Sequence, residues 1–248
     1  MMFDRIKKYL YALTHSKKYD NIIPLGYNCE IAYRFYKHFK FFDASLFGWS
    51  FVTFEQLKYS LLNMDKLCNG GIEYDYPSHT LKCKNSGIYF HGRTPHDKFS
   101  DNEQENQKII EQDAAELQSR TEHLKEKFFN YANDGKKNLY IRKIHLSDGN
   151  TSDSGIEQKR NEILWIYNFL KDYCKNDFTF LLVVEEKFYD KFLFDDEKIQ
   201  TRSILAYSPD DAVTKKKAGD PFGWKILFTE FQPKHKKKQK GKLKFELN

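Results

Sequence analysis

Residues 178–184 read FTFLLVV, an almost continuously apolar run with Asp177 before it and acidic residues after it. Strands that are apolar at nearly every position are usually buried on both faces, as in parallel sheets that helices cover. Residues 139–144 form another strand-like run, and a stretch with helical periodicity, 157–173, lies between the two. This alternation predicts an α/β fold, a single three-layer domain (1–248) with a mainly parallel sheet.

An apolar run near the start of the chain, Ile22–Leu25, is ended by Gly26-Tyr27-Asn28. After it, Ile31, Phe35 and Phe39 recur every four residues, which indicates a helix. The pattern therefore predicts a strand, a tight turn and a helix. We expect Ile22–Leu25 to be the first strand of the sheet and to lie beside 139–144 and 178–184, with the turn at their carboxyl edge.

Further elements follow from periodicity and turn residues. Residues 1–19 contain an amphipathic helix whose Phe3, Ile6, Leu10 and Leu13 are expected to pack on the core. The other predicted elements are helices over 57–67, 101–131 and 186–194, a hairpin of 80–84 with 88–91, a strand over 201–206, and a C-terminal antiparallel hairpin of 225–231 with 243–247 around a lysine-rich loop, 234–242.

The net charge of +6 is concentrated at one end of the 248-residue chain. Residues 234–248 hold seven lysines and one acidic residue, and the remaining chain carries equal numbers of basic and acidic side chains. A solvated loop, with an anionic partner as the alternative, is predicted for these lysines, and no nucleic-acid-binding motif accompanies them. The sequence shows neither a transmembrane segment nor a secretory signal, which favours a cytoplasmic protein.

The four cysteines, Cys29, Cys68, Cys83 and Cys174, contain no Cys-x-x-Cys pair and have no histidine at zinc-finger spacing. Neither a disulfide framework nor a structural zinc site is therefore expected. No cluster of His, Asp and Glu indicates a catalytic metal, and the glycines form no phosphate-binding fingerprint.

Cys29 occupies the predicted junction of turn and helix. A helix N-terminus and a neighbouring histidine can lower a thiol pKa to roughly 3.5–7.5, which produces a nucleophilic thiolate at neutral pH. The Asn28 amide or the helix N–H groups are then candidates to stabilise an oxyanion. The alternative is a buried, inert cysteine.

The segment Pro24–Glu30, followed by Phe42-Asp43 and Phe47-Gly48-Trp49, resembles the opening of a bacterial family of unknown function described as papain-like cysteine peptidases. Gly87–His91, His96-Asp97 and Leu139–Arg142 resemble later segments of that family in the same order. The resemblance implies Cys29 as the nucleophile and His96 or His91 as the base. Independently of the resemblance, Asp43 and Asp97 are candidates to orient an imidazole, because a base needs a partner that fixes its tautomer.

The Gly-x-Asn-Cys turn is also similar to the turn of capsule-biosynthesis acetyltransferases, which place it after the first strand of an α/β domain. Three functions stay open: a Cys-His hydrolase or peptidase without a cofactor, an acyltransferase of surface-polysaccharide biosynthesis using coenzyme A, and a non-catalytic α/β binding module. The substrate classes are a small molecule, a saccharide or a peptide. His145, which follows the strand 139–144, is a third candidate for the base.

Overall fold

Helices and strands alternate along the chain, and a computed structural model describes residues 2–91, 94, 99–100, 102–146, 151–205 and 220–234. The helices are α1 (Met2–Thr14), α2 (Glu30–Phe39), α3 (Phe54–Leu62), α4 (Glu103–Asn133), α5 (Asp153–Tyr173) and α6 (Pro221–Glu230). The strands are β1 (Lys17–Tyr19), β2 (Asn21–Pro24), β3 (Ser50–Phe51), β4 (Ile72–Asp75), β5 (Thr80–Cys83), β6 (Tyr89–Phe90), β7 (Asn138–Lys143), β8 (Phe178–Glu185), β9 (Ile199–Ile204) and β10 (Phe231–Pro233). Short 3-10 helices follow α3 at Met64–Lys66 and β8 at Glu186–Phe192.

The main sheet has the strand order β2-β7-β8-β9, and each neighbouring pair is parallel. Leu139 of β7 lies opposite Ile22 of β2 on one side and opposite Thr179 of β8 on the other. The prediction that 22–25, 139–144 and 178–184 share one parallel sheet is confirmed. The described residues thus have an α/β architecture and not a helical half joined to an antiparallel barrel.

The alternation of side chains along the strands divides the core between the two faces of this sheet. On one face, Tyr140, Phe180 and Leu182 pack with residues of α4 and α5. On the other, Leu139, Ile141, Leu181 and Val183 pack with residues of α2 and α6. Helices on both faces make the three layers that the sequence predicted.

A second, antiparallel sheet has the order β3-β6-β5-β4 and shares its core with α4 and α5. It contains the predicted hairpin of β5 and β6, in which Leu81 lies opposite Phe90. Gly87 in the connecting turn has a φ of 70°, a conformation that glycine adopts without strain. The hairpin prediction is confirmed, whereas β3 and β4 had no clear signal in the sequence.

The amphipathic helix predicted in 1–19 is present as α1, but its packing differs from the prediction. Phe3, Ile6, Leu10 and Leu13 are all exposed, so the expectation that they pack on the core is wrong. The helix instead contacts α6 through Arg5, which pairs with Asp220 and lies over the Phe222 ring. The adjoining β1 pairs in parallel with β10, so the start of the chain lies against residues 220–233.

The predicted C-terminal hairpin is wrong for residues 225–231, most of which belong to α6. Asp220 precedes the helix and Pro221 occupies its first turn, where a missing N–H costs nothing. Trp224, Leu227 and Phe228 then follow at helical spacing and are buried against the sheet. Residues 243–247, and the lysine-rich loop beyond Lys234, lie outside the described residues.

The other predicted elements are present with shifted ends. The long charged helix runs over Glu103–Asn133, the strand predicted at 201–206 begins earlier, at Ile199, and the helix predicted at 57–67 is α3 with the 3-10 turn that follows it. Within the described ranges, no helix is long and apolar enough to cross a membrane.

Candidate functional site

The turn after β2 has a backbone that few sequences can form. Gly26 has a φ of +78° and Tyr27 a φ of +87°, so two successive residues adopt left-handed conformations. A Cβ atom at position 26 would lie 2.8 Å from the side chain of Val52, which leaves room only for glycine. The turn delivers Cys29 to the N-cap position of α2, at the carboxyl edge of the parallel sheet.

Arg142, on the neighbouring strand β7, holds this turn in place through two hydrogen bonds. Its guanidinium donates hydrogen bonds to the carbonyl oxygens of Leu25 at 2.6 Å and Val52 at 3.2 Å. Burial lowers the pKa of Arg142 to about 10, so the group stays positively charged at neutral pH. The turn and β3 are further joined because the Val52 amide donates to the Tyr27 carbonyl at 3.3 Å.

The beginning of α2 is held by a buried carboxylate. Glu30 pairs with Lys143 at the end of β7 and accepts a 2.7 Å hydrogen bond from the Trp224 indole of α6. The Asn28 side-chain oxygen accepts a hydrogen bond from the Glu30 backbone amide at 3.0 Å. Because this oxygen is used at the start of α2, the side-chain NH₂ of Asn28 is the group that could donate to an oxyanion. The position of Cys29 is therefore determined by contacts of β7 and α6 with the start of α2.

The electrostatic environment of Cys29 differs from the expectation. Burial raises the pKa of the thiol to about 11, and among the described residues only its own amide acts in the opposite direction. The expected lowering of the pKa is not found, because the removal of the sulfur from water dominates over the hydrogen bond from its own amide. Cys29 is a protonated thiol at neutral pH.

The structure describes one of the two histidines first expected to be the base. His91 follows β6, whose Phe90 lies opposite Ser50 of β3, so one strand separates this segment from the Cys29 turn. The residue is solvent-exposed, and the neighbouring protein, which removes part of the imidazole from water, lowers its pKa below the usual value. No hydrogen bond joins His91 to Cys29 within the described residues. His96 and Asp97 lie outside them.

A different histidine lies at the carboxyl edge of the parallel sheet. His145 follows β7, and its Nδ1 is 3.2 Å from Oε1 of Glu185, the last residue of β8. The Tyr27 ring, two residues before Cys29, has its centroid 5.9 Å from that of the His145 ring. The imidazole is half exposed, whereas the Glu185 carboxylate is buried. Carboxylate and imidazole are arranged as in a base whose tautomer is fixed by its partner.

Glu185 was missed in the sequence, although its position at the end of the most apolar strand was a usable signal. Asp43, a candidate to orient an imidazole, instead accepts hydrogen bonds of 2.5 Å from Lys127 and Tyr131 of α4. Across the described ranges, no group of three His, Cys, Asp or Glu side chains is placed to hold a metal ion.

No protein-family model, curated protein or solved structure matches this chain. The resemblances to papain-like peptidases and to capsule acetyltransferases therefore stay predictions.

Proposed function

We propose that this protein is a thiol-dependent enzyme that transfers acyl groups, with Cys29 as the nucleophile and His145 as the base. The observation that supports this proposal is the pair of His145 and Glu185 at the edge where Cys29 begins α2. The carboxyl ends of three adjacent parallel strands, β2, β7 and β8, supply the cysteine, the histidine and the carboxylate. Ligands of open α/β sheets bind at this edge.

His145 is preferred to His91 because a buried carboxylate accompanies it. A general base needs a partner that fixes its tautomer and stabilises the imidazolium, and Glu185 is placed to do both. His91 has no described carboxylate partner, and His96 stays a prediction that the same experiment tests.

The proposed reaction begins from the protonated thiol. The imidazole accepts the Cys29 proton as the sulfur attacks an acyl carbon, and the imidazolium then returns that proton to the leaving group. The resulting thioester is cleaved when water, or a hydroxyl or amine of an acceptor, attacks the same carbon and regenerates the thiol. Water as the acceptor gives a hydrolase or peptidase. A saccharide hydroxyl gives an acyltransferase, for which an acyl-coenzyme A thioester is the expected donor and the coenzyme A thiol the leaving group.

An activated acetyl ester, p-nitrophenyl acetate, tests the proposal. We expect acetylation of Cys29, read by peptide mass mapping, to be faster than acetylation of Cys174. His145→Gln should lower the rate about 100-fold or more, Glu185→Gln less, and Cys29→Ser should remove the modification. Cys174→Ser is the matched control, because Cys174 is a half-buried thiol away from this edge.

Two results would contradict the proposal: Cys29 reacting no faster than Cys174, or a rate indifferent to His145→Gln. If His96→Gln or His91→Gln abolishes the acetylation instead, the base is the one that the papain-like resemblance implies.

A non-catalytic binding module is the second candidate, and the raised pKa of Cys29 favours it. In that case the thiol only fills space at the start of α2, and the sheet edge binds a ligand without covalent chemistry. Cys29→Ser would then leave ligand binding unchanged.

A further inference from the structure

Cys68 and Cys83, 15 positions apart in the sequence, lie side by side in the fold. Both side chains are fully buried, and the two thiols are hydrogen-bonded to each other as free cysteines. They contribute to the same hydrophobic core, on the face of the parallel sheet that carries the antiparallel sheet. Neither thiol belongs to the Cys29 site.

The backbone around the two thiols is fixed by hydrogen bonds. Cys83 lies opposite Ile72 in the β4–β5 ladder, and the Gly71 amide donates to the Cys68 carbonyl at 3.1 Å. The Lys84 amide donates to the Gly71 carbonyl at 3.1 Å, which closes the frame between the two cysteine segments. The side chain of Asn85 also lies directly on Gly70. These bonds hold the turn that carries Cys68 against the end of β5 that carries Cys83.

The polar neighbours distinguish the two thiols. The hydrogen bond from Cys68, assisted by Ser86, lowers the pKa of Cys83 below its ordinary value. The same bond raises the pKa of Cys68, which Thr121 and Lys125 oppose only in part. These contacts favour ionisation of Cys83 over that of Cys68, so oxidation of the pair would start at Cys83.

An open groove of about 460 Å³ lies between the 3-10 turn at Met64–Lys66 and α4, and neither cysteine lines it. Lys125 lines this groove, and its ammonium donates at 3.2 Å to the carbonyl of Leu67, the residue before Cys68. Lys125 thus connects the groove to the segment just before Cys68, and a small oxidant can reach the buried thiols only through local opening of this region.

We propose that Cys68 and Cys83 are a redox-active dithiol, which a hydroperoxide converts into an intramolecular disulfide. The Cys83 thiolate attacks one peroxide oxygen, and protonation of the departing hydroxide gives water and a Cys83 sulfenic acid. Cys68 then attacks the Cys83 sulfur, and its proton leaves with the hydroxyl group as a second water. Two thiols are oxidised by two electrons while one hydroperoxide is reduced, so with hydrogen peroxide the balance closes at one disulfide and two waters.

Peptide mapping of the intact protein tests the proposal. The native protein is exposed to graded hydrogen peroxide, blocked with N-ethylmaleimide in denaturant and digested with trypsin. Cleavage after Lys66, Lys82 and Lys84 releases Cys68 in peptide 67–82 and Cys83 in the dipeptide 83–84. We expect these peptides to be linked, with a loss of 2 Da that dithiothreitol reverses, at lower peroxide than oxidises Cys174.

Matched variants complete the experiment. The double variant Cys29→Ser/Cys174→Ser should keep the linked peptide, whereas Cys68→Ala and Cys83→Ala should each abolish it. Cys68→Ala should in addition leave Cys83 to accumulate sulfenic or sulfinic acid, because the resolving thiol is gone. The proposal is overturned if both thiols of the unmutated protein remain free after Cys174 has been oxidised, or if the linked peptides contain other cysteines. This readout does not depend on whether the alanine variants fold.

Discussion

Replacing Lys143 by methionine should destabilise the protein strongly, because it removes the partner of a buried carboxylate. Lys143 is 8% exposed and Glu30 is 6% exposed, so neither charge can recover much solvation from water. Removing one member of such a pair costs about 3–5 kcal/mol, since the other is left as an uncompensated buried charge. Two other groups act on the Glu30 carboxylate: the Trp224 indole donates a hydrogen bond, and the Arg34 charge attracts it. Neither replaces the direct contact with the Lys143 ammonium.

A double-mutant cycle separates this charge effect from the loss of packing. In Lys143→Met/Glu30→Gln the buried charge is gone, the Trp224 hydrogen bond keeps an acceptor, and an unsatisfied amide costs about 1–3 kcal/mol. The double variant should therefore be more stable than Lys143→Met alone, and the two single costs should not add.

Urea unfolding followed by fluorescence measures the cycle. With a slope of about 1–3 kcal/mol per molar, Lys143→Met should lower the midpoint by about 1 M or more. Lys8→Met is the matched control, because Lys8 pairs with Glu186 at 2.7 Å while both side chains are about half exposed. That change should cost less than about 1 kcal/mol. A Lys143→Met cost as small as that of Lys8→Met, or additive single costs, would refute the reasoning.

Two other perturbations follow from the turn and from α6. Gly26→Ala should lower the free energy of unfolding by about 2–4 kcal/mol in the same urea assay, because the positive φ costs about 1–2 kcal/mol and the added Cβ would collide with Val52. The control is Gly135→Ala, since Gly135 also has a positive φ but no neighbouring atom of the described residues where the Cβ would lie, so this change should cost only the about 1–2 kcal/mol of the backbone strain. Burial alone would raise the pKa of Asp220, but the Gly223 amide, Arg5 and the Leu205 amide together lower it. Since the folded pKa lies below the unfolded value near 3.9, the carboxylate stabilises the fold above that value and loses this contribution as pH falls through the folded pKa. Asp220→Asn should flatten the fall of melting temperature between pH 5 and pH 2, and an unchanged slope would contradict this assignment.

The sheet could be predicted because its residues obey simple periodicities. Residues 178–184 are apolar at nearly every position, and such a run has few places in a fold other than the middle of a covered parallel sheet. Gly26 likewise indicates a tight turn, because only glycine fits the backbone conformation and the space at this position. The start of α6 was equally readable, since Asp220-Pro221 is a helix-start signature, but the β-branched and aromatic residues of 225–231 favoured a strand.

The polar part of the site could not be predicted in the same way. Glu30, Lys143 and Glu185 carry charges, and charge patterns indicate exposure unless the partner is known. Each partner here comes from a different element, so the pairings exist only in the folded chain. The pKa of Cys29 is another example. The helix N-terminus beside it could be predicted from the sequence, but the burial that raises the pKa could not.

The packing of α1 and β1 on residues 220–233 also determines when the fold can be completed. Arg5 and Asp220 are 215 positions apart, so one layer of the molecule joins segments from opposite ends of the described chain. As the polypeptide emerges from the ribosome, Phe35, Leu139 and Ile141 are made long before Trp224 and Phe228, which cover them. The α4–α5 side of the sheet can assemble during translation, because its segments precede residue 205. The opposite side cannot form until residues 224–231 have been made, and we expect these long-range contacts to form late in folding.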